Sequence, residues 1–314
     1  MQDGTRVRKP RLPPRQELVN VLEFEDAAKI ALAADVYSTI AGSNRAAFDR
    51  ITFRPRLMVS TLDLDLSVEL FGDSHLAPIL VGPVADQRRF HPDGELATVR
   101  GASAAQAAVV VSGRSSVAIR QIAAQAKTPL WFCVYPDGDA RNDIDRALSA
   151  GCKVVCIAAP PMPEKTPIPW KTIGTIRKGL PSPMVIKGVM SIEDARIAVN
   201  EGAKGIVVSN HGAPSGTVAP IEILSSAVDA VAENAAVLVD GSFRRGSDIA
   251  VALALGARGV LLARPVMWGL AAYGADGVQS VIEMLQTDLA RTMGALGAAN
   301  LESLTRSMIR INRF

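Results

Sequence analysis

Residues 205–213 read Gly-Ile-Val-Val-Ser-Asn-His-Gly-Ala, an apolar run that ends in a polar loop. The unbroken apolar run predicts a strand buried on both faces, because a half-buried strand would alternate. The loop carries His211, one of only three histidines in the chain. A neutral imidazole just past a parallel strand can act as a base near neutral pH. His211 is therefore a candidate base, with a histidine bonded within its own turn as the alternative.

Seven further runs of the same kind lie on either side of this one, and helical patterns separate most of them. The eight predicted strands are Ala77–Pro83, Ala108–Ser112, Pro129–Tyr135, Lys153–Ala159, Met184–Gly188, Gly205–Ser209, Ala236–Gly241 and Gly259–Ala263. The predicted helices between them are Gly94–Ala107, Val117–Ala126, Ala140–Ala150, Ile192–Glu201, Ile221–Ala232 and Gly246–Leu255. Eight βα units in one series predict an α/β fold, a (β/α)8 barrel, rather than a doubly wound sheet.

The segments outside the eight units extend the barrel at both ends. We predict an N-terminal cap over residues 17–76, with a helix Glu23–Ile40 and a hairpin Leu57–Leu76 that covers the barrel floor or rim. The barrel occupies residues 77–272, and residues 273–314 supply closing helices, Ala275–Met293 and Leu301–Ile311. Residues 17–314 are thus expected to form one domain, preceded by a flexible basic, proline-rich arm over residues 1–16.

Composition limits the classes of partner. A chain of 314 residues with 48% hydrophobic side chains can bury one large core. The net charge of +3, spread among both signs, gives no basic face for nucleic acid. No apolar run is long enough to span a bilayer, so we expect no membrane partner and a cytoplasmic location. The three cysteines (Cys133, Cys152 and Cys156) lie in or beside apolar runs and indicate buried thiols rather than disulfides or a metal site.

Polar residues gather at the predicted strand ends, where barrels of this type carry their functional groups. Asp240 and Gly241 end the seventh strand, and Arg244 follows them; Ala263 and Arg264 end the eighth. The loops after these two strands commonly bind phosphate, and two arginines would hold it by charge-assisted bonds. Surface arginines paired with carboxylates are the alternative.

Lys187 stands at the end of the otherwise apolar fifth strand. An unpaired buried ammonium is costly, so an anion or an electron-rich ring is expected to face Lys187, with a structural ion pair as the alternative.

Together these motifs resemble the FMN-dependent α-hydroxy acid oxidase and dehydrogenase family, which includes glycolate oxidase, lactate oxidase and mandelate dehydrogenase. The resemblance covers roughly residues 18 to 310. The motifs that carry it are Phe53-Arg54-Pro55-Arg56, His91-Pro92-Asp93-Gly94-Glu95, Lys187-Gly188-Val189, Ser209-Asn210-His211-Gly212, Asp240-Gly241, Arg244-Arg245-Gly246, Ala252-Leu253-Ala254-Leu255-Gly256-Ala257 and Arg264-Pro265.

The resemblance implies FMN as the cofactor and three catalytic residues. His211 would be the base, Lys187 would stabilise the reduced flavin, and Tyr135 would be an active-site tyrosine, with a buried aromatic at a strand end as its alternative. The residues that the resemblance assigns to flavin binding are Pro83, Val84, Ala85, Ser112, Cys133, Lys187, Ser209, Asp240, Gly241, Arg244, Ala263 and Arg264. Cys133 stands where the family usually has glutamine, so one hydrogen bond to the flavin would be weakened or replaced.

The chain departs from the family on the substrate side. Where the family has the arginine that grips the substrate carboxylate, this sequence has Pro214, and where it has a second carboxylate-holding tyrosine, this sequence has Thr39. The aspartate that usually orients the histidine is missing from Ala158-Ala159-Pro160-Pro161, and the loop that follows is shortened to about Pro160–Pro169. Arg114 is a candidate replacement for the missing arginine, with a surface or partner-subunit salt bridge as the alternative.

We therefore expect an FMN-dependent oxidoreductase that oxidises a C–H bond next to a hydroxyl or amine, with a larger or tailoring-type substrate rather than a simple 2-hydroxy acid. Oxidase members of the family tend to have alanine at the position of Ala85 and several dehydrogenases have glycine, so the resemblance favours the oxidase mode; it also suggests a homotetramer. Two alternatives stay open: a redox-neutral flavin isomerase, and a flavin-binding or flavin-free pseudoenzyme that acts as a partner subunit.

Overall fold

Eight parallel strands close into a barrel in the computed structural model, which describes residues 11–42, 45–136, 139–159, 169–213 and 217–312. The strands of the described residues are β1 Ile51–Phe53, β2 Val68–Leu70, β3 Asp73–His75, β4 Ile79–Val81, β5 Val109–Ser112, β6 Leu130–Val134, β7 Val154–Ala158, β8 Met184–Val189, β9 Gly205–Val208, β10 Ala236–Asp240, β11 Gly259–Leu262 and β12 Ile309–Ile311. The helices are α1 Val21–Ala31, α2 Ala34–Ser38, α3 Ala46–Asp49, α4 Gly94–Ala104, α5 Ile119–Ala123, α6 Ala140–Ser149, α7 Trp170–Arg177, α8 Ile192–Asn200, α9 Pro220–Val231, α10 Gly246–Ala254 and α11 Arg264–Leu296.

The barrel comprises β4 to β11 in chain order, and β11 pairs with β4 to close it. Alternate residues of each strand point inward and form one apolar cluster, which includes Val110, Trp131, Val185 and Leu238. The outward residues of the same strands pack against the surrounding helices. Both faces of every strand are therefore covered, and the (β/α)8 prediction is confirmed.

The hairpin of β2 and β3 lies under the barrel. Phe71, at its turn, packs edge-on against Trp131 near the start of β6, with 5.3 Å between ring centroids. The hairpin is shorter than the predicted Leu57–Leu76, because only Val68–His75 form paired strands and their turn. It covers the floor of the barrel, at the amino ends of the strands, and leaves the opposite mouth open for a site.

The predicted helix Glu23–Ile40 is wrong as a single element. Leu32 and Ala33 are extended, with ψ of 155° and 149°, and they separate α1 from α2. Asn20 caps α1 by accepting from the backbone N–H groups of Leu22 and Glu23. The break turns α2 toward the barrel mouth, where Thr39 and Ile40 line a cavity.

The predicted helix Leu301–Ile311 is also wrong. Two single 3-10 turns replace its first part, and its last residues form β12, which pairs antiparallel with β1. Ile309 and Ile311 alternate with Arg310, a pattern that suits a strand once an edge partner exists. The other closing helix lies within α11, whose 33 residues bend at Gly274, where φ is 60°.

Residues 11–16 of the predicted arm lie against α11, while residues 1–10 fall outside the described residues. Tyr273 donates a hydrogen bond to the Pro13 carbonyl at 2.7 Å, and Arg15 donates to Ser280 at 2.6 Å. Among the helices that the structure describes, none has the length and apolar character needed to cross a membrane.

Candidate active site

A cavity of about 300 Å³ opens at the barrel mouth, where the carboxyl ends of the strands meet the loops that follow them. It brings together most of the residues that the sequence assigned to the site. The predicted residues that line it are Pro83, Val84, Ala85, Lys187, His211, Asp240, Gly241, Arg244, Ala263 and Arg264. Arg114, Ser112, Cys133, Tyr135 and Ser209 are not among the described residues lining this cavity.

Lys187 forms a buried ion pair at the base of the cavity. Its Nζ lies 2.7 Å from Asp240 Oδ2 and donates to Ser209 Oγ at 2.9 Å, while Ser209 Oγ donates to Asp240 at 3.2 Å. Burial alone would lower the pKa of Lys187, but the Asp240 carboxylate outweighs it and the pKa is raised. The structure therefore contains the ion pair that was the alternative interpretation of Lys187, and this pair lines the cavity with a fixed charge.

His211 is held in the left-handed backbone region, with φ of 54°. Its backbone N–H donates to Ser209 Oγ at 3.2 Å, and its imidazole lies against Gly188, whose φ is 108°. A side chain at position 188 would bring a Cβ within 2.5 Å of His211 Nε2, so the glycine is required by this contact.

The imidazole of His211 is neutral at neutral pH. Burial and the nearby Lys187 ammonium lower the pKa of His211 from 6.5 to about 4, against opposing effects of Asp240 and the Ala159 carbonyl. Among the residues that the structure describes, Nε2 finds no hydrogen-bond partner of good geometry, although the Ala159 carbonyl lies close by. A neutral imidazole keeps one ring nitrogen able to accept a proton, and Nε2 has no well-formed hydrogen bond within the described part of the site.

Arg244 and Arg264 converge on one point at the other end of the cavity. Both donate to the Gly42 carbonyl, at 3.2 and 3.0 Å, and Arg264 also donates to the Gly212 carbonyl at 2.8 Å. Arg244 is only 4% exposed and stacks on the Trp268 ring at 4.3 Å. Burial, with repulsion from Arg264 and Arg45, lowers the pKa of Arg244 to about 9, so it stays cationic at neutral pH.

The nearby carboxylate does not neutralise this pair. Asp248 bonds both guanidinium nitrogens of Arg45, at 2.6 and 2.7 Å, and accepts from the backbone N–H groups of Arg244 and Arg245. Within the described residues, Arg244 Nε has no hydrogen-bond partner. Two adjacent cations and an unsatisfied donor, beside the first turn of α11, are arranged to receive a phosphate.

These features fit the flavin mononucleotide that the sequence resemblance implies. The arginine pair suits its phosphate, Asp240 and Gly241 line the same cavity, and Pro83, Val84 and Ala85 give an apolar wall for a flat ring. The residues present therefore match a ligand with an anionic tail and an aromatic head.

A second group of predicted residues surrounds the ends of β5 and β6. Ser112 and Tyr135 lie 3.4 Å apart through their hydroxyl oxygens, and the Arg114 guanidinium covers the Tyr135 ring at 3.9 Å. Burial is the main cause that raises the pKa of Tyr135. Cys133 pairs in register with Ser112 and points into the barrel interior below this group.

Three features of the site were missed from the sequence. They are the Gly42 carbonyl that joins the two arginines, the Trp268 ring beneath Arg244, and the Arg45–Asp248 pair. The partners in each contact lie far apart in sequence or occur in unremarkable motifs, so no local signal pointed to them.

The departures on the substrate side are visible in part. Thr39 lines the cavity, but its hydroxyl donates to the Val36 carbonyl of its own helix at 2.7 Å. Ala159 follows β7 with no carboxylate. Pro214 and the shortened loop from Pro160 onward lie outside the described residues, apart from Pro169.

Comparison with known proteins gives one consistent family. The chain matches the family described as FMN-dependent dehydrogenase over residues 29–159 and 162–311. It is 33% identical to a 4-hydroxymandelate oxidase of Amycolatopsis orientalis, and the alignment covers 92% of this chain and 97% of the relative. It is 32% identical to an L-lactate oxidase of Nostoc sp., and that alignment covers 93% of this chain and 98% of the relative. Mandelate oxidase crystallised with (S)-2-phenylpropionate superposes with a TM-score of 0.88 at 34% identity, over 95% of this chain and all of that one.

The family match spans most of the barrel and its cap, and the relatives align over nearly their whole length. The barrel, the phosphate-binding arrangement and the polar strand ends agree with it. The chain therefore belongs to the FMN-dependent α-hydroxy acid oxidase and dehydrogenase family, and its cofactor is FMN.

Proposed function

We propose that this oxidoreductase oxidises a C–H bond next to a hydroxyl or amine in a substrate that is not a simple 2-hydroxy acid. The observation that carries the proposal is the contrast between the two sides of the site. The cofactor side keeps Lys187, Asp240, Arg244 and Arg264, whereas the groups expected to grip a small carboxylate are missing.

The cations of the cavity support this interpretation. Among the described residues that line it, the cationic side chains are Lys187, Arg244 and Arg264. Lys187 is paired with Asp240, and the two arginines lie together at the end of the cavity that suits the phosphate of FMN. In this part of the cavity, a small substrate carboxylate beside His211 would therefore have no unpaired cation to bind. A substrate that lacks the carboxylate would bind no more weakly than one that has it.

The residues of the chain divide the chemistry between them. Bound FMN supplies the acceptor for the hydride that leaves the substrate carbon. His211 is neutral at pH 7 and takes the proton of the substrate hydroxyl or amine. The Asp240 carboxylate favours the protonated form of His211, but burial and the Lys187 ammonium outweigh it, so we expect this proton to leave His211 readily. The Lys187–Asp240 pair keeps a fixed ammonium near the reaction and excludes water from the base of the site.

Arg114, in the group at the ends of β5 and β6, is proposed to recognise an anionic or polar group of a substrate that extends beyond the cavity. Its guanidinium carbon lies 3.9 Å from the centroid of the Tyr135 ring, a cation–π contact that holds the charge beside this tyrosine. If Arg114→Ala changes neither the KM for the substrate nor the spectral response of the flavin to ligands, this assignment is wrong.

The test is anaerobic reduction of the purified yellow protein by a panel of 2-hydroxy acids, amino acids and larger alcohols, followed by absorbance of the flavin. We expect bleaching by larger alcohols or amines and none by glycolate or lactate. Rapid bleaching by glycolate or lactate would overturn the proposed substrate class. Turnover without any electron acceptor would indicate a redox-neutral isomerase, and a flavin that no compound reduces would favour a pseudoenzyme. Reoxidation by air, compared with a dye acceptor, distinguishes the oxidase mode from the dehydrogenase mode.

A further inference from the structure

Two cysteines face each other inside the barrel, below the cavity. Cys133 of β6 and Cys156 of β7 are direct partners in the register of these parallel strands. Both belong to the inward-facing cluster, and their exposed fractions are 0% and 1%. Neither takes part in the chemistry proposed above.

The strand geometry suits a bond between them. Neighbouring strands lie about 4.8 Å apart, and disulfides form between Cα atoms separated by about 4.4–6.8 Å. Because both side chains point to the same face, their Cβ atoms do not diverge across the sheet. A disulfide also needs its two Cβ atoms at about 3.5–4.5 Å, slightly less than the strand spacing, so the strands would have to draw together locally at this pair.

Neighbouring groups also shift the pKa values of the two thiols. Hydrogen bonding from Cys156 lowers the pKa of Cys133, with further help from the Lys187 and Arg114 charges. The same contact and burial raise the pKa of Cys156. A thiol whose ionisation is favoured by a neighbouring sulfur and two cations is typical of reactive dithiols, whereas inert buried thiols have raised pKa values.

Cys152 provides the contrast within the same chain. It is buried among the outward-facing core residues, and burial raises its pKa to about 12. It belongs to the inert class, and it is a matched control for the pair.

Lys187 and Ser112 link the pair to the residues around the cofactor site. Lys187, whose charge acts on both thiols, lines the cavity that fits FMN, and Ser112 pairs in register with Cys133 on the opposite side. The burial of both sulfurs shields them from bulky oxidants in solution. The partner placed to exchange electrons with them is thus the flavin itself.

We propose that Cys133 and Cys156 form a reversible dithiol–disulfide couple that exchanges two electrons with FMN. In the oxidising direction two S–H bonds break and one S–S bond forms. The electron pair and one proton reduce FMN, and the second proton passes to water. The reverse direction consumes the same electrons and protons, so the chain stores one electron pair beyond that held by its cofactor.

The experiment is an anaerobic reductive titration of the air-oxidised holoenzyme with dithionite, followed by flavin absorbance. We expect the wild-type protein and Cys152→Ser to consume about four electrons per FMN, two for each couple. Cys133→Ser and Cys156→Ser should consume about two. Equal consumption of about two electrons by all four proteins would overturn the proposal.

A second measurement on the wild-type protein keeps the test independent of how the variants fold. Denaturation in iodoacetamide, followed by mass spectrometry of the peptides, counts the free thiols. After air oxidation we expect Cys152 alone to be alkylated and a peptide pair linked through Cys133 and Cys156. After dithionite reduction of the holoenzyme all three should be alkylated. Three free thiols in both states would contradict the couple.

Discussion

Replacement of Arg244 by methionine should have opposite effects on the stability of the apoprotein and on its affinity for FMN. Arg244 is 4% exposed, and the hydrogen bonds that its guanidinium makes to described residues run to two backbone carbonyls, those of Phe243 and Gly42, and not to a carboxylate. Methionine keeps the apolar length that packs on Trp268 and removes the charge. The apoprotein therefore loses an uncompensated cation, and the holoprotein loses a phosphate ligand.

The magnitudes follow from the site. Lowering the pKa of Arg244 from 12.5 to about 9 corresponds to roughly 5 kcal/mol of unfavourable interaction for the charged form, an upper bound. The two carbonyl bonds and the stacking contact, worth about 1 kcal/mol each, offset most of it. We expect the apoprotein to gain at most about 2 kcal/mol in free energy of unfolding. A charge-assisted bond to phosphate contributes about 2 kcal/mol, so the Kd for FMN should rise about 30-fold.

Urea unfolding of the apoprotein and quenching of flavin fluorescence on binding measure the two effects. Arg45→Met is the matched control, because it leaves the Asp248 carboxylate, 5% exposed, without its partner. It should destabilise the apoprotein by about 3 kcal/mol. The reasoning is refuted if Arg244→Met destabilises the apoprotein as Arg45→Met does, or binds FMN as tightly as the wild type.

Three further results are expected. The rate of flavin reduction by substrate should be constant from about pH 8 down to pH 5 and fall near pH 4, because the reaction requires neutral His211, whose pKa is about 4. A fall near pH 6.5 would show that burial does not lower the pKa of His211. Gly188→Ala should slow that reduction by displacing His211. Gly151 is the control, because it has a similar φ of 99° and open space around it; Gly151→Ala should lower the temperature of thermal unfolding and leave the rate unchanged. Lys187→Met should lower the free energy of unfolding by about 3 kcal/mol by leaving Asp240 unpaired, and a second change, Asp240→Asn, should restore part of it; an additive loss would show that the ion pair is not coupled.

The barrel could be predicted because buried parallel strands appear in sequence as unbroken apolar runs, and all eight were found. The elements that failed depend on distant partners. Residues 301–311 form 3-10 turns and a strand because β1 offers an edge to β12, a contact across 258 positions. No local propensity reports such a partner.

The candidate site also has features that the sequence predicts and features that depend on distant partners. Lys187, His211 and Asp240 stand at strand ends and were identified from that position alone. The relation of Cys133 to Cys156 could not be derived, because Cys133 is the fifth residue of its predicted strand and Cys156 the fourth of its own. A shift of one residue in register moves a side chain to the opposite face of the sheet. The stagger of the closed barrel determines the register between neighbouring strands, and the positions of the strands in the sequence do not reveal that stagger.

The pairing of β1 with β12 has a consequence for synthesis of the chain. During translation the cap segments leave the ribosome before the barrel does, yet β1 and α1 find their partners, β12 and α11, only after the barrel strands have been made. Contacts of such high sequence separation form late, because the closure entropy of the long loop must be met first. The nascent protein therefore carries an unpartnered amphipathic helix for most of its elongation, and the interval before the cap seals against α11 is when aggregation competes most strongly with folding.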